Sequence, residues 1–185
     1  MSRASKLLFV AVIVLLCGNL AFAQSDIGLK GVGAKIGFVA PEDPIESTIG
    51  FGAVADLGTI TPAIHLGAFV DFWKKSYDTG SLGGTFEASF TEIAIGALGK
   101  YYFPMSNSAF KPYAGAGLGL TIGKAKVDSP YGGGSDSSTD FGFRILGGAD
   151  YALSPTLTGF AEAVYQIDGA DYFGIFAGVV YSLGK

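Results

Sequence analysis

Apolar residues alternate with other residues at a period of two along most of the chain from residue 24 onward. This period is typical of β-strands whose two faces meet different surroundings, because successive side chains point to opposite faces of a strand. The alternation predicts eight strands, which are separated by clusters of turn-forming residues. The predicted strands are 28–38, 48–57, 63–73, 86–103, 113–124, 141–151, 157–167 and 172–183.

The two faces of the predicted strands differ in charge. One face, which includes Ile36, Phe51 and Phe72, contains no charged residue in any of the eight segments. The opposite face carries Lys35, Asp56, Asp71, Glu92, Lys100, Arg144, Asp150 and Glu162, together with His65 and Gln166. A charged side chain at the midplane of a bilayer costs about 2–4 kcal/mol. The charge-free face could therefore contact lipid, but alternation alone does not decide which face points outward, because a soluble lipocalin-like barrel would place its apolar face inward.

Three features indicate that the charge-free face points outward. The charged face is rich in glycine, which suits the narrow interior of a small barrel better than a surface in water. Aromatic residues gather near strand ends, as at 101–103, like the interfacial girdles of membrane barrels. Connections are short at 58–62 and 152–156 but long at 74–85 and 125–140. The sequence therefore predicts an all-β fold, namely a closed, antiparallel, up-and-down, eight-stranded transmembrane β-barrel.

The start of the chain has a different pattern. Basic residues and an unbroken apolar run over 7–17 precede the small-x-small cleavage site Ala21-Phe22-Ala23. This arrangement is typical of a secretory signal peptide, and the apolar run is far shorter than the roughly twenty residues of a spanning helix. We therefore expect residues 1–23 to be cleaved and residues 24–185 to form the barrel domain.

Cleavage of the signal peptide would remove the cysteine of the chain and two of its basic residues. Cys17 is the only cysteine and would leave with the signal peptide. A lipid anchor on Cys17 is the alternative, which the bulky Leu16 disfavours. Loss of Arg3 and Lys6 would make the mature chain more acidic than the formal net charge of −4. Because nucleic-acid phosphates need Lys and Arg, nucleic acid is not expected as a partner.

No motif predicts a catalytic, cofactor-binding or metal-binding residue. His65 is the only histidine, and a histidine that faces the lumen is favoured over a catalytic one. Three alternate glycines repeat inside a strand rather than before a helix, so they do not form a phosphate loop; they are Gly115, Gly117 and Gly119. The acids of the last long connection lack the spacing of an EF-hand; they are Asp128, Asp136 and Asp140. We expect a protein that is not an enzyme and needs no cofactor.

The charges of the predicted lumen need partners, because an unpaired buried charge costs several kcal/mol. We expect Arg144 to pair with Glu92 or Glu162 and the salt bridges to close the interior. The alternative is a narrow channel for ions or small apolar solutes along the glycine-lined first, second and fifth strands.

With the N-terminus in the periplasm, the long connections 74–85 and 125–140 would be loops outside the cell. Both are polar and rich in glycine and serine, so mobile solvated loops are the simplest interpretation. Tyr77 and Tyr131 are candidate anchors for a partner, since aromatic residues often contribute most to binding. We therefore expect a structural or surface-binding role.

The stretches Gly-Lys-Tyr-Tyr-Phe-Pro (99–104) and Lys-Pro-Tyr-Ala-Gly-Ala-Gly-Leu-Gly (111–119) resemble the small outer-membrane β-barrel proteins of the OmpA/OmpX type. The C-terminal stretch 176–183 is similar to the assembly signal of that family, although Leu183 replaces the usual terminal Phe. The resemblance implies a bacterial outer-membrane location and recognition by the outer-membrane insertion machinery. We expect the lipid bilayer and lipopolysaccharide as further partners, and a monomer.

Some eight-stranded relatives are enzymes that modify lipid A with a histidine, a serine and an acid at the outer leaflet. His65 follows the short 58–62 turn, at the periplasmic end of its strand. Gly67 stands two positions later, so the chain has no His-x-Ser pattern. A lipid-modifying enzyme is therefore a disfavoured alternative.

Overall fold

The computed structural model describes residues 26–81, 84–105, 109–129 and 132–184. They form a closed barrel in which each strand pairs antiparallel with its neighbours in sequence and the first strand pairs with the last. The strands are β1 Asp26–Pro41, β2 Thr48–Thr61, β3 Ile64–Ser81, β4 Gly84–Tyr102, β5 Phe110–Ser129, β6 Gly132–Ala152, β7 Leu157–Ile167 and β8 Tyr172–Ser182. The predicted eight-stranded, up-and-down barrel is confirmed. No helix in the described part of the chain is long and apolar enough to cross a membrane.

The charge-free face covers the outside of the barrel. Ile36 and Phe51 are 54% and 52% exposed, whereas Lys35, next to Ile36 in β1, is only 4% exposed. Closure pairs every strand on both edges within this wall, so backbone N–H and C=O groups do not face hydrocarbon unpaired. The predicted assignment of the two faces is therefore confirmed.

The long connections predicted at 74–85 and 125–140 are not loops where the structure describes them. β3 and β4 remain paired as far as Ser81 and Gly84, and β5 and β6 as far as Ser129 and Gly132. The prediction was wrong because these outer halves carry polar residues on both faces, so the alternation that marked the strands disappears there. Pairing of backbone groups continues without it.

The two ends of the barrel differ in how far the paired strands extend. One end, here called the turn end, carries the short links 62–63, 103–109 and 153–156. The opposite end, here called the hairpin end, carries the links 42–47 and 168–171 and the two long hairpins.

Candidate functional site

Asp71 joins two cations in the middle of the lumen. Lys35 Nζ lies 3.1 Å from Asp71 Oδ1, and Arg144 Nη1 donates a hydrogen bond to Asp71 Oδ2 at 2.6 Å. Lys35 also donates to Glu162 Oε1 at 3.0 Å. All four side chains are buried. Since losing one partner of a buried pair leaves an uncompensated charge, these residues hold one another in place.

Arg144 has partners other than the predicted ones. Besides Asp71, its Nε donates to Gln166 Oε1 at 2.8 Å and its Nη2 donates to the Tyr172 hydroxyl at 2.9 Å. Its Cζ lies 3.7 Å from the centroid of the Phe69 ring. The expected pairing with Glu92 or Glu162 was wrong. Alternation shows that a side chain faces the lumen, but it does not show which residue meets it across the barrel.

Glu92 and Glu162 bond elsewhere in the lumen. Glu92 accepts a hydrogen bond from Trp73 Nε1 at 3.1 Å. Glu162 lies nearer the turn end, where it accepts from the Tyr113 hydroxyl at 3.0 Å and lies 3.5 Å from Lys100 Nζ. The acids and cations of the predicted lumen thus share one interior, with partners that the sequence did not reveal.

Large side chains fill the lumen between this network and the hairpin end. The fully buried ones include Trp73, Tyr172 and Phe176, and Ile45 from the link 42–47 packs against the same cluster. Inward glycines make room for these groups. A Cβ at Gly52 would collide with Asp71 Oδ1 and would lie 2.8 Å from Lys35 Cε. The glycine-lined space that the sequence suggested for a channel is therefore filled by side chains in this region.

The turn end instead contains a cavity of about 520 Å³, lined by Asp56, His65, Tyr102, Lys111 and Asp150 among others. We call it the turn-end cavity. The Tyr102 hydroxyl donates to Asp150 Oδ2 at 2.6 Å, and the rings of His65 and Tyr102 meet edge-on with centroids 4.5 Å apart. His65 faces the lumen near the turn end, as predicted.

The other candidate groups of the sequence are not brought together. Gly115, Gly117 and Gly119 lie inside β5. Asp128 and Asp136 lie on opposite strands of one hairpin, where Asp128 bonds to Lys126 and Asp136 accepts from the Ser137 backbone N–H. Within the described ranges, no group of three His, Cys, Asp or Glu residues could hold a metal ion.

Strands β3 to β6 project beyond the rest of the barrel at the hairpin end. The β2–β3 pairing ends at Gly50 and Trp73, and the β6–β7 pairing ends at Phe143 and Ile167. Beyond these points the four strands continue as a sheet, here called the projecting sheet, over residues 74–81, 84–91, 123–129 and 132–142.

Of the two predicted aromatic anchors, Tyr77 is described and Tyr131 lies outside the described residues. The Tyr77 hydroxyl accepts a hydrogen bond from the Glu46 backbone N–H at 2.6 Å and approaches the Pro44 carbonyl at 3.5 Å. Lys75 adds an ion pair to Glu46 at 2.8 Å. Tyr77 therefore braces the link 42–47 against the projecting sheet.

The outward face of the projecting sheet changes character in rows across β3, β4 and β5. The row nearest the membrane is apolar, the next two contain cations and hydroxyls, and the outermost is acidic. From the membrane outward, the paired residues are Phe72, Ile93 and Ile122; Lys74, Thr91 and Lys124; Ser76, Ser89 and Lys126; and Asp78, Glu87 and Asp128. Lys74 and Lys124 are exposed directly beside the apolar row.

The outer membrane protein beta-barrel domain model matches residues 8–182 of the chain. Neisserial surface protein A is 24% identical, with 83% of this chain and 96% of that chain covered and a TM-score of 0.61. Ail, the attachment invasion locus protein of Yersinia pestis, determined with the heparin analogue sucrose octasulfate, is 15% identical, with 83% and 98% covered and a TM-score of 0.57. No curated protein matches the chain.

A major outer membrane protein from Thermus thermophilus is 10% identical, with 82% of this chain and 99% of that chain covered and a TM-score of 0.54. At such identities these structures establish the fold. The family match covers most of the chain, including all eight strands. The chain belongs to the outer membrane protein β-barrel domain family and is an integral β-barrel of the bacterial outer membrane.

Proposed function

We propose that this protein is a non-enzymatic barrel with a structural and surface-binding role, and that it displays the projecting sheet outside the cell. The observation that carries the proposal is the sheet itself. Four strands extend past the point where β2 and β7 leave the wall, and no function of the closed lumen requires this extension. The turn end then lies in the periplasm, because the longer excursions of outer-membrane barrels are extracellular.

The free edge of β6 is the binding surface that this sheet offers. From Gly132 to Gly142, the described structure places no strand beside β6 on the side away from β5. The Ser137 backbone N–H donates to its neighbour Asp136 Oδ1 at 2.9 Å, a bond that an added strand would replace. An extended peptide can add to such an edge as a further strand, with main-chain hydrogen bonds supplying the affinity.

Cysteine labelling on intact cells tests the display of the sheet. Ser135 in the projecting sheet and Thr156 at the turn end are both exposed, and the mature chain would otherwise contain no cysteine. We expect a membrane-impermeant maleimide to label Ser135→Cys on intact cells, whereas Thr156→Cys reacts only after the outer membrane is opened. Labelling of Thr156→Cys alone on intact cells would reverse the orientation and overturn the proposal.

Selection of random dodecapeptides on the refolded protein tests the binding. Ser137→Pro removes one N–H from the free edge, at a position where an edge strand tolerates proline. Selected peptides should lose binding to Ser137→Pro and keep it with Ser137→Ala. Equal binding to both variants, or the absence of enrichment, would argue against the edge as the binding surface.

The proposal extends to the membrane partners. Lys74 and Lys124 lie where phosphate groups of lipopolysaccharide would meet the barrel, one row beyond the apolar side chains. Long basic side chains at such a boundary keep their stems against apolar surface and place their charge among headgroups. We include in the proposal a cleaved signal peptide at 1–23, assembly by the outer-membrane insertion machinery and a monomeric barrel.

A further inference from the structure

The turn-end cavity is closed on the inner side. A smaller cavity of about 100 Å³ shares Asp56, His65, Tyr102 and Asp150 with it and is also lined by Lys100 and Phe160. Behind these residues lie buried Glu162 and the network around Asp71. A solute that enters from the turn end therefore meets a blind pocket. Its volume of about 520 Å³ lies within the range of about 300–1,000 Å³ that is usual for small-molecule sites.

Two carboxylates in this cavity have oxygens that form no hydrogen bond with any described residue. Asp150 accepts from Tyr102 through Oδ2, which leaves Oδ1, and Asp56 accepts from the Gly58 backbone N–H through Oδ1, which leaves Oδ2. His65 contributes an imidazole whose ring meets that of Tyr102 edge-on. These groups are half-buried, so a ligand can reach them.

The cations of the cavity do not balance these acids. The Lys100 ammonium is held by Glu162, and it also lies 4.1 Å from the centroid of the Tyr113 ring. Lys111 stands opposite Asp150 in the pairing of β5 with β6, but it is exposed at the rim and forms no ion pair within 4.0 Å with any described residue. Apolar and aromatic side chains such as Tyr102 and Met105 complete the wall. The cavity thus combines uncommitted carboxylate oxygens with an amphipathic lining.

We propose that the turn-end cavity binds a small organic cation, an aliphatic diamine of a few carbons, through the carboxylates of Asp56 and Asp150. One ammonium group donates to the free oxygen of Asp56 and the other to the free oxygen of Asp150, and the carbon chain packs against Tyr102 and the apolar wall. Asp56 on β2 and Asp150 on β6 face each other across the lumen, so the ligand spans the cavity. This site is independent of the projecting sheet and of any partner bound there.

The single histidine makes the binding measurable at the site itself. The refolded chain, labelled with ¹³C in the imidazole and held in zwitterionic detergent, gives one set of histidine side-chain signals, from His65. Putrescine serves as the probe, and 1,4-butanediol serves as its uncharged counterpart of similar length. We expect putrescine to shift the His65 signals saturably and butanediol to leave them in place.

Three variants distinguish specific binding of putrescine in the cavity from nonspecific electrostatic attraction to an acidic protein. Asp56→Asn and Asp150→Asn keep an oxygen acceptor for the Gly58 N–H and the Tyr102 hydroxyl, so the fold is retained. Each should weaken putrescine binding by about tenfold or more, the usual effect of removing a charged partner. Lys111→Gln should strengthen binding, because it removes the one cation at the rim.

Asp78→Asn on the projecting sheet is the matched control and should leave the putrescine affinity unchanged. The proposal is overturned by any of three results. These are a wild-type response that does not saturate, an equal response to butanediol, and an affinity that Asp56→Asn and Asp150→Asn leave as it was.

Discussion

At the scale of single residues, Asp71 is the acid that holds the two buried cations in the middle of the lumen. It receives both Lys35 and Arg144, and all three side chains are buried. Asp71→Ala leaves two buried cations with one carboxylate fewer. We expect a loss of about 3–5 kcal/mol in the free energy of unfolding, as for other broken buried pairs. Urea unfolding of the refolded barrel in lipid vesicles measures it.

The control for this substitution is Asp78→Ala, which removes an exposed acid from the projecting sheet. It should change the free energy of unfolding by no more than about 0.5 kcal/mol, as is usual for surface positions. If Asp71→Ala were as mild as this control, the ion network would not stabilise the barrel.

Gly52 tests the close packing around the same network. Gly52→Ala places a Cβ against the Asp71 carboxylate and 2.8 Å from Lys35 Cε, so the ion pair must shift. We expect a loss of about 1–3 kcal/mol, the range for overpacked interiors. Gly99→Ala is the matched control, because a Cβ there meets nothing within 4 Å. Equal stability of the two variants in urea unfolding would contradict this account.

The sequence predicted the side of each charged residue but not its partner. Arg144 and Asp71 both belong to the predicted charged face, and the structure confirms that they point inward. Their contact depends on how far each strand is shifted along its neighbours around the closed barrel, which the alternation does not reveal. The gathering of Asp56, His65 and Asp150 at one cavity was missed for the same reason.

At the scale of elements, the strands were predicted well only where they contact lipid. β7 has the predicted bounds, because hydrocarbon on one face and the lumen on the other impose strict alternation. The outer parts of β3 to β6 carry polar residues on both faces, so positions such as Ser76 and Ser89 show no such pattern. Register and backbone pairing define these segments, and the sequence alone did not show them.

Lys74 and Lys124 allow a test of where these strands leave the membrane. We expect wild-type protein to unfold at a higher temperature in asymmetric vesicles, with lipopolysaccharide only in the leaflet at the hairpin end, than in phosphatidylcholine alone. Each of Lys74 and Lys124 should contribute about 1 kcal/mol of attraction to anionic headgroups. The double variant Lys74→Gln/Lys124→Gln should lose most of this gain.

Lys30 lies at the turn end, where the proposed orientation places no lipopolysaccharide, so Lys30→Gln is the control and should keep the gain. In phosphatidylcholine alone, all three proteins should unfold at similar temperatures. A double variant that retains the full gain would show that these lysines do not meet the phosphates.

At the scale of the whole molecule, the lumen of the barrel has two halves that differ in how they are filled. The half toward the hairpin end is filled by aromatic side chains and by the ion network, whereas the half toward the turn end opens into a cavity. An ion crossing the barrel would have to displace Arg144 from Asp71 and then pass Trp73 and Tyr172. Both steps break buried contacts, which makes transport through the lumen unfavourable.

We therefore expect purified, refolded protein to show no stepwise conductance in planar lipid bilayers, with a known porin in the same membranes as the positive control. Arg144→Ala is the informative variant, because it removes the side chain that bonds to Asp71, Gln166 and Tyr172 at once. If it conducts while the wild type is silent, the ion network is the barrier. If both are silent, the aromatic cluster toward the hairpin end suffices. Steady openings of the wild type would instead favour the channel, because a lumen filled as described cannot carry ions.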